Sequence, residues 1–110
     1  MARAPITTHI LDLTRGRPAA GIAVRLYAGD ALLASGTTND DGRVEDWDSE
    51  FSIDVGKHRL EFDVDPWFEA NGEASFYEDV HISFRISDVS EHYHVPLLLS
   101  AYGYSTYRGS

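Results

Sequence analysis

The stretch GIAVRLYAG, residues 21–29, decides the fold class. Along it Ile22, Val24 and Leu26 fall on one side of an extended chain and Ala23, Arg25 and Tyr27 on the other, the period of a strand with one buried face. HRLEFDV, residues 58–64, repeats the pattern, with Leu60, Phe62 and Val64 alternating against Arg59, Glu61 and Asp63. So does DVHISFRI, residues 79–86, where Val80, Ile82, Phe84 and Ile86 alternate against His81, Ser83 and Arg85.

Turn signals punctuate these segments. Gly29-Asp30 between alternating runs predicts a tight hairpin, and Asn39-Asp40-Asp41-Gly42 predicts a turn between neighbouring strands with Gly42 in a left-handed conformation. ITTHILDL (6–13), ALLASGTT (31–38), GRVEDW (42–47) and two closing segments bring the expectation to about eight short strands, the spacing of a β-sandwich. One short helix is expected in DPWFEANG, residues 65–72, with Asp65 as N-cap, Pro66 in the first helical position and Gly72 at the stop.

A chain of 110 residues with 43% hydrophobic content suffices for one core, and residues 1–110 read as a single domain. No cysteine is present, so neither a disulfide framework nor a thiolate zinc site can form. The N-terminal MARAPITTHILDL has no apolar run of signal-peptide type, and no later segment approaches the roughly 18 apolar residues of a membrane helix. A soluble, cytoplasmic protein is the expectation. The formal net charge of −9 argues against nucleic-acid binding, which needs a basic surface to displace counterions from phosphates.

Several polar residues are candidates for chemistry. In EHYHVPLLLS, residues 91–100, the period of two puts His92 and His94 on one face and Tyr93, Val95, Leu97 and Leu99 on the core face. His9 sits in ITTHILDL, where Thr7, His9, Leu11 and Leu13 share one side, Thr8, Ile10 and Asp12 share the other, and neither is clearly the core. Taken singly, His9 has an ordinary role as a packed residue bonded to backbone, yet imidazole is also the side chain best matched to proton transfer near neutral pH. Arg43 follows two aspartates that could neutralise it in a solvated cluster; its guanidinium could equally hold an oxyanion or a ring carbonyl with paired donors. His9 with His92 and His94 offers three imidazoles, the ligand count of a catalytic zinc site, but no further metal-ligand spacing accompanies them. No phosphate-cradling loop or nucleophile elbow is visible.

HILDLTRGRPA near the start, TNDDGR in the middle and HYHVPLLLSAYGYSTYRGS at the end, together with FEANGEASFYEDVHISFRI, resemble 5-hydroxyisourate hydrolase, the transthyretin-related enzyme family of urate degradation. The ending YRGS, residues 107–110, is the most specific element, since in that family it separates the hydrolases from the hormone carrier transthyretin. Ala101 departs from the proline that is commoner there.

The resemblance implies an all-β, transthyretin-like sandwich of two four-stranded sheets with one short helix, assembled as a homotetramer with active sites at subunit interfaces. It implies a purine-metabolism hydrolase with no cofactor and no metal, acting on 5-hydroxyisourate. By the same carry-over His9, Arg43 and His94 are the expected catalytic residues, and His9, Arg43, Tyr107 and Ser110 the substrate-binding ones. Arg108 and Gly109 support the motif, while His92 does not carry over as catalytic. Two other classes compete: a transthyretin-like module that binds a small aromatic ligand or a partner protein without chemistry, and a carbohydrate-binding sandwich that would display Trp47 and Trp67 as stacking platforms.

Overall fold

The computed structural model describes residues 4–110; the reading of the N-terminal residues 1–3 lies outside it. Nine strands and a helix follow in chain order: β1 (Ile6–Asp12), β2 (Arg17–Pro18), β3 (Ala23–Ala28), β4 (Ala31–Thr37), β5 (Arg43–Val44), β6 (Gly56–Asp63), α1 (Val64–Ala70), β7 (Val80–Ile86), β8 (Tyr93–Ser100) and β9 (Gly103–Thr106). They form two sheets. One has the order β4-β3-β6-β7 and is antiparallel throughout. The other runs β2-β1-β8-β9, with β5 also pairing with β1.

The second sheet therefore holds five strands where four were expected. The difference is small in space, because β2 pairs with the end of β1 at Leu11 and Asp12, and β5 with its middle at Thr8 and His9. Two fragments of two residues each share one edge of β1. Neither fragment has alternation of its own; both are strands only because β1 offers them hydrogen bonds.

Between the sheets lies the core the alternation called for. Ile22, Val24 and Leu26 face Leu60, Phe62, Val80 and Ile86 from one sheet, and Ile6, Ile10, Tyr93, Leu97 and Leu99 close it from the other, all buried. The Gly29-Asp30 hairpin forms with Ala28 paired to Ala31 and Gly29 at φ +57°. Gly42 takes φ +74° as expected, but its turn crosses from β4 in one sheet to β5 in the other instead of joining partners within a sheet.

Of GRVEDW only Arg43 and Val44 are strand. Beyond them the chain leaves the sheet so that the Trp47 indole can donate to the Ile6 carbonyl at 2.9 Å and stack edge-on against Phe51. The helix likewise starts earlier than its sequence signals suggest, at Val64, with Asp63 as N-cap but without a side-chain capping bond. Asp65 instead lies in the first turn, where its carboxylate accepts from the Ser75 hydroxyl at 3.2 Å. Burial decides the shift: Val64 and Phe68, one turn apart, both reach the core. The stop at Gly72 holds, with φ +74°, its N–H donating to Glu69 and that of Glu73 to Phe68, the double bond pattern of a glycine-terminated helix.

Candidate active site

β1 and β8 pair in parallel at the centre of their sheet, with Thr7 beside His94 and His9 beside Pro96. On the far side of β1, His9 is paired with Arg43 of β5. β8 pairs with β9 at Leu97 and Thr106, and a single bridge joins His94 to Gly109 in the same register. Two lateral rows thus cross the sheet, Arg43–His9–Pro96 and Thr7–His94–Gly109. Because neighbours across a sheet share a face, all these residues lie on one side of it.

That side is the outer one. Ile6, Thr8, Ile10 and Asp12 are the inward set of β1, and Tyr93, Val95, Leu97 and Leu99 that of β8; Thr7 is buried too, but on the outer face beside the histidines it bonds. The face of β1 that looked ambiguous in sequence is settled by hydrogen bonds: the Thr8 hydroxyl donates to the Val95 carbonyl at 2.6 Å, and buried Asp12 accepts from the Thr14 and Arg15 backbone and from the Arg15 guanidinium. Both polar residues are inside because both are satisfied there.

The two imidazoles meet across the β1–β8 seam. The His9 and His94 ring centroids are 6.5 Å apart and inclined at 37°. Thr7 reaches the same place, its hydroxyl oxygen 2.8 Å from His94 Nδ1 and 2.9 Å from His92 Nε2. Gly109 closes the other flank of His94. Its N–H donates to the His94 carbonyl at 2.8 Å, and a Cβ there would stand 2.6 Å from His94 Cδ2 and 3.3 Å from Pro96 Cγ. Glycine is needed here for the close approach of a ring, not for backbone freedom.

Arg43 is held by its backbone. The Asn39 side-chain oxygen accepts the Asp41 and Arg43 N–H groups, Asn39 donates to the Arg43 carbonyl, and Ile10 donates to the Gly42 carbonyl at 2.7 Å. Gly42 lies so close to β1 that a Cβ would come within 2.5 Å of the Ile10 oxygen. Among the described residues the Arg43 guanidinium makes no ion pair, so the expected neutralisation by its neighbouring aspartates does not form. Its charge acts instead on His9. Burial first and then Arg43 push the His9 pKa below its ordinary value, against a weaker upward pull from Asp41 and Glu45. His9 is therefore biased toward the neutral ring, the form that accepts a proton.

The remaining motif residues divide. Arg108 turns away from the imidazoles, stacks 4.4 Å over the Tyr93 ring and donates to Glu91 and the His92 carbonyl, anchoring the tail. Tyr107 is 58% exposed and lines, with Arg108, Thr106, Tyr93 and Phe84, a cleft at the open edge between the sheets. Ser110 is exposed beyond Gly109. His9, Arg43, His94 and Gly109 are thus drawn together, whereas Tyr107 and Ser110 border the face without closing over it. Thr7 is a contributor that residue type gave no reason to single out, and His92, set aside as non-catalytic in the sequence, joins the site through the Thr7 hydroxyl.

No three-imidazole cage forms. Both His92 and His94 turn a nitrogen onto Thr7, and among the described residues no three His, Cys, Asp or Glu side chains are grouped to hold a metal ion. The tryptophans are not stacking platforms either: both are half-buried, Trp47 donating to Ile6 and Trp67 to the Ala20 carbonyl. No helix among the described residues is long and apolar enough to cross a membrane.

A family profile described as HIUase/Transthyretin family matches residues 6–109. The 5-hydroxyisourate hydrolase 2 of Rhizobium meliloti is 46% identical over 114 residues, covering 96% of this chain and 95% of that protein. Among solved structures, the Klebsiella pneumoniae 5-hydroxyisourate hydrolase superposes with a TM-score of 0.86 at 36% identity, covering 99% of this chain and all of that one. Sea bream transthyretin in complex with thyroxine superposes with the same TM-score of 0.86 at 28% identity, over 96% of this chain and 95% of its own.

Proposed function

As the chain belongs to the HIUase/transthyretin family, we propose that it is a 5-hydroxyisourate hydrolase of urate degradation. The product is 2-oxo-4-hydroxy-4-carboxy-5-ureidoimidazoline, formed by hydrolytic ring opening without metal or cofactor. The observation that carries this reading is the convergence of Arg43, His9 and His94 on one outward sheet face, with His9 biased to its neutral form.

Each group has a step suited to it. Neutral His9 takes a proton from water as the water oxygen bonds to the scissile carbonyl carbon. His94 orients that water and then supplies a proton to the ring nitrogen as the C–N bond breaks, so that one proton is accepted and one is given. Arg43, unpaired with any carboxylate among the described residues, holds the carbonyl oxygen on which negative charge develops. Tyr107 offers an aromatic face to the flat ring, and Ser110 a hydroxyl to its polar edge.

A single chain leaves this face an open sheet surface. A concavity lies elsewhere, between β2 and α1 around Arg17, Pro18 and Trp67. The reading therefore includes a homotetramer in which one hydrolase domain, residues 1–110, presents its outer sheet to another copy and water is excluded between them. Exposed Tyr102 and Tyr107 on the tail supply apolar surface for such contacts. A cytoplasmic location goes with this reading.

The fold does not choose between enzyme and carrier, since both superpose equally well. The imidazole pair chooses, because a carrier needs no proton transfer. The deciding experiment follows decay of freshly generated 5-hydroxyisourate with wild type, Arg43→Ala and His94→Asn. Acceleration by wild type alone supports the proposal; identical decay with all three and without protein overturns it.

A further inference from the structure

One side chain at the site belongs to neither motif. Thr7 is 5% exposed, lies on β1 directly beside His94 of β8, and its hydroxyl oxygen sits between His94 Nδ1 at 2.8 Å and His92 Nε2 at 2.9 Å. A hydroxyl has one proton and two lone pairs, so it cannot donate to both rings. At least one of the two nitrogens must bring its own proton.

The consequence falls on the opposite edge of His94. When His94 Nδ1 donates to Thr7 and Thr7 donates to His92, the Nε2 of neutral His94 carries a lone pair. When His92 Nε2 donates and Thr7 donates to His94 Nδ1, the neutral ring carries its proton on Nε2 and is an acid there. When both rings donate to Thr7, the Nε2 of a neutral His94 again carries a lone pair. An accepting His92 Nε2 thus fixes a lone pair on His94 Nε2, and only a donating His92 Nε2 lets the Thr7 hydroxyl turn to His94 and leave the proton on its Nε2. On the other flank the ring lies so close to Gly109 that no side chain fits there. The charged and titratable groups near this trio include His9 from β1, Arg43 from β5, and Glu91 with Arg108, which meets the His92 carbonyl.

We propose that Thr7 is a positioning residue whose hydroxyl couples His92 to His94, fixing the ring orientation and tautomer with which His94 faces the reaction. His92 then matters without touching substrate, as the proton partner on the far side of Thr7. A relay in either direction balances: a proton entering His94 at Nε2 releases one from Nδ1 to the Thr7 oxygen, whose own proton passes to His92 Nε2. The inference rests on the hydrolase reading for its rate measurements, but not for its ring chemistry.

The test compares wild type, Thr7→Val, which keeps the shape and loses the hydroxyl, and Thr7→Ser, which keeps the hydroxyl. 5-Hydroxyisourate decay is measured across pH, and the His94 ring nitrogens are observed by long-range proton–nitrogen NMR without substrate. Thr7→Val is expected to lose at least about tenfold in kcat, with KM within about twofold. Its pH profile and His94 nitrogen shifts should also move, and Thr7→Ser should restore all of these. Wild-type kcat, pH profile and nitrogen shifts in Thr7→Val, or a Thr7→Ser as impaired as Thr7→Val, would overturn the assignment. If wild type itself fails to accelerate decay, the hydrolase reading falls, and the NMR comparison alone still decides whether Thr7 sets the His94 tautomer. Should Thr7→Val not fold, His92→Phe read by the same two measurements takes its place, with the same expected shift at His94.

Discussion

Arg43 and His9 face each other across the β5–β1 pair, and the guanidinium helps burial hold the imidazole below its ordinary pKa. If neutral His9 is the base, the acid limb of kcat/KM lies below the ordinary 6.5 of a histidine. Arg43→Ala removes a cation that lowers this pKa, so the limb should move upward toward 6.5 while burial keeps part of the shift. The same variant loses a donor for the developing oxyanion, and kcat/KM is expected to fall about 10²–10³-fold. A pH–rate profile of both proteins checks limb and height together.

Gly109→Ala places a methyl group 2.6 Å from His94 Cδ2. The tail or the imidazole must move, and a displacement of that order costs about 10²-fold in rate where geometry controls the reaction. The melting temperature should stay near wild type, since the edge bridge at Gly109 adds little to the core. Thermal melts and initial rates on one preparation separate the two effects.

Gly42→Ala should do both kinds of damage. Its φ of +74° disfavours a side chain, and the added carbon would meet the Ile10 oxygen at 2.5 Å. A loss of about 1–3 kcal/mol is expected from backbone strain of this type. Because Gly42 precedes Arg43, activity should fall further than the fraction unfolded explains; urea titration with parallel assays measures the gap.

A chain ending at Thr106 keeps β9 whole but loses Tyr107, Arg108, Gly109 and Ser110. It should fold with a cooperative melt and lose at least about 10²-fold in activity, as truncated active sites do when positioning groups go. Wild-type activity in that chain would show that the tail is dispensable to the reaction.

Asp63 accepts two bonds from Arg25, at 2.7 and 2.8 Å, and this pairing holds its carboxyl below the ordinary value of 3.8. The sign follows: the pair's stabilisation is complete above pH 3.8 and is lost as pH falls through the lower folded-state pKa. Both side chains are about one-third exposed, at 31% and 33%, so screening limits the contribution. It should amount to about 0.5–1 kcal/mol. Asp63→Asn should flatten the acid side of a stability-versus-pH curve and leave the neutral region lower by that amount.

Alternation made β6, β7 and β8 legible because each repeats its buried set at least three times, and β3 because Val24 and Leu26 continue the alternation begun at Ile22 just before the strand. It failed where structure is dictated by a distant partner. Arg17–Pro18 is a strand only by virtue of β1, with no local pattern to mark it, and of the strand expected in GRVEDW only Arg43–Val44, the pair that β1 bonds, forms. The helix began at Val64 because burial of that side chain outweighed the capping chemistry offered by Asp65. For the site, residue type and family likeness singled out His9, Arg43 and His94, but the role of Thr7 stayed hidden. Its partners lie 85 and 87 positions away, and a lone threonine in a strand signals nothing beyond strand propensity.

The parallel seam between β1 and β8 has a bearing on how the protein comes into being. The contacts of His94 with Thr7 and Gly109, and the β1–β8 seam that brings it beside His9, join the opening of the chain to its close and cannot exist until β8 and the tail have been synthesised and docked, whereas the His9–Arg43 pairing needs neither. Such long closures are reached late and slowly in folding. Proton-transfer competence should consequently lag behind the appearance of β-structure during refolding, and a fragment stopping before Tyr93 should be silent until a peptide carrying β8 and the tail is supplied in trans.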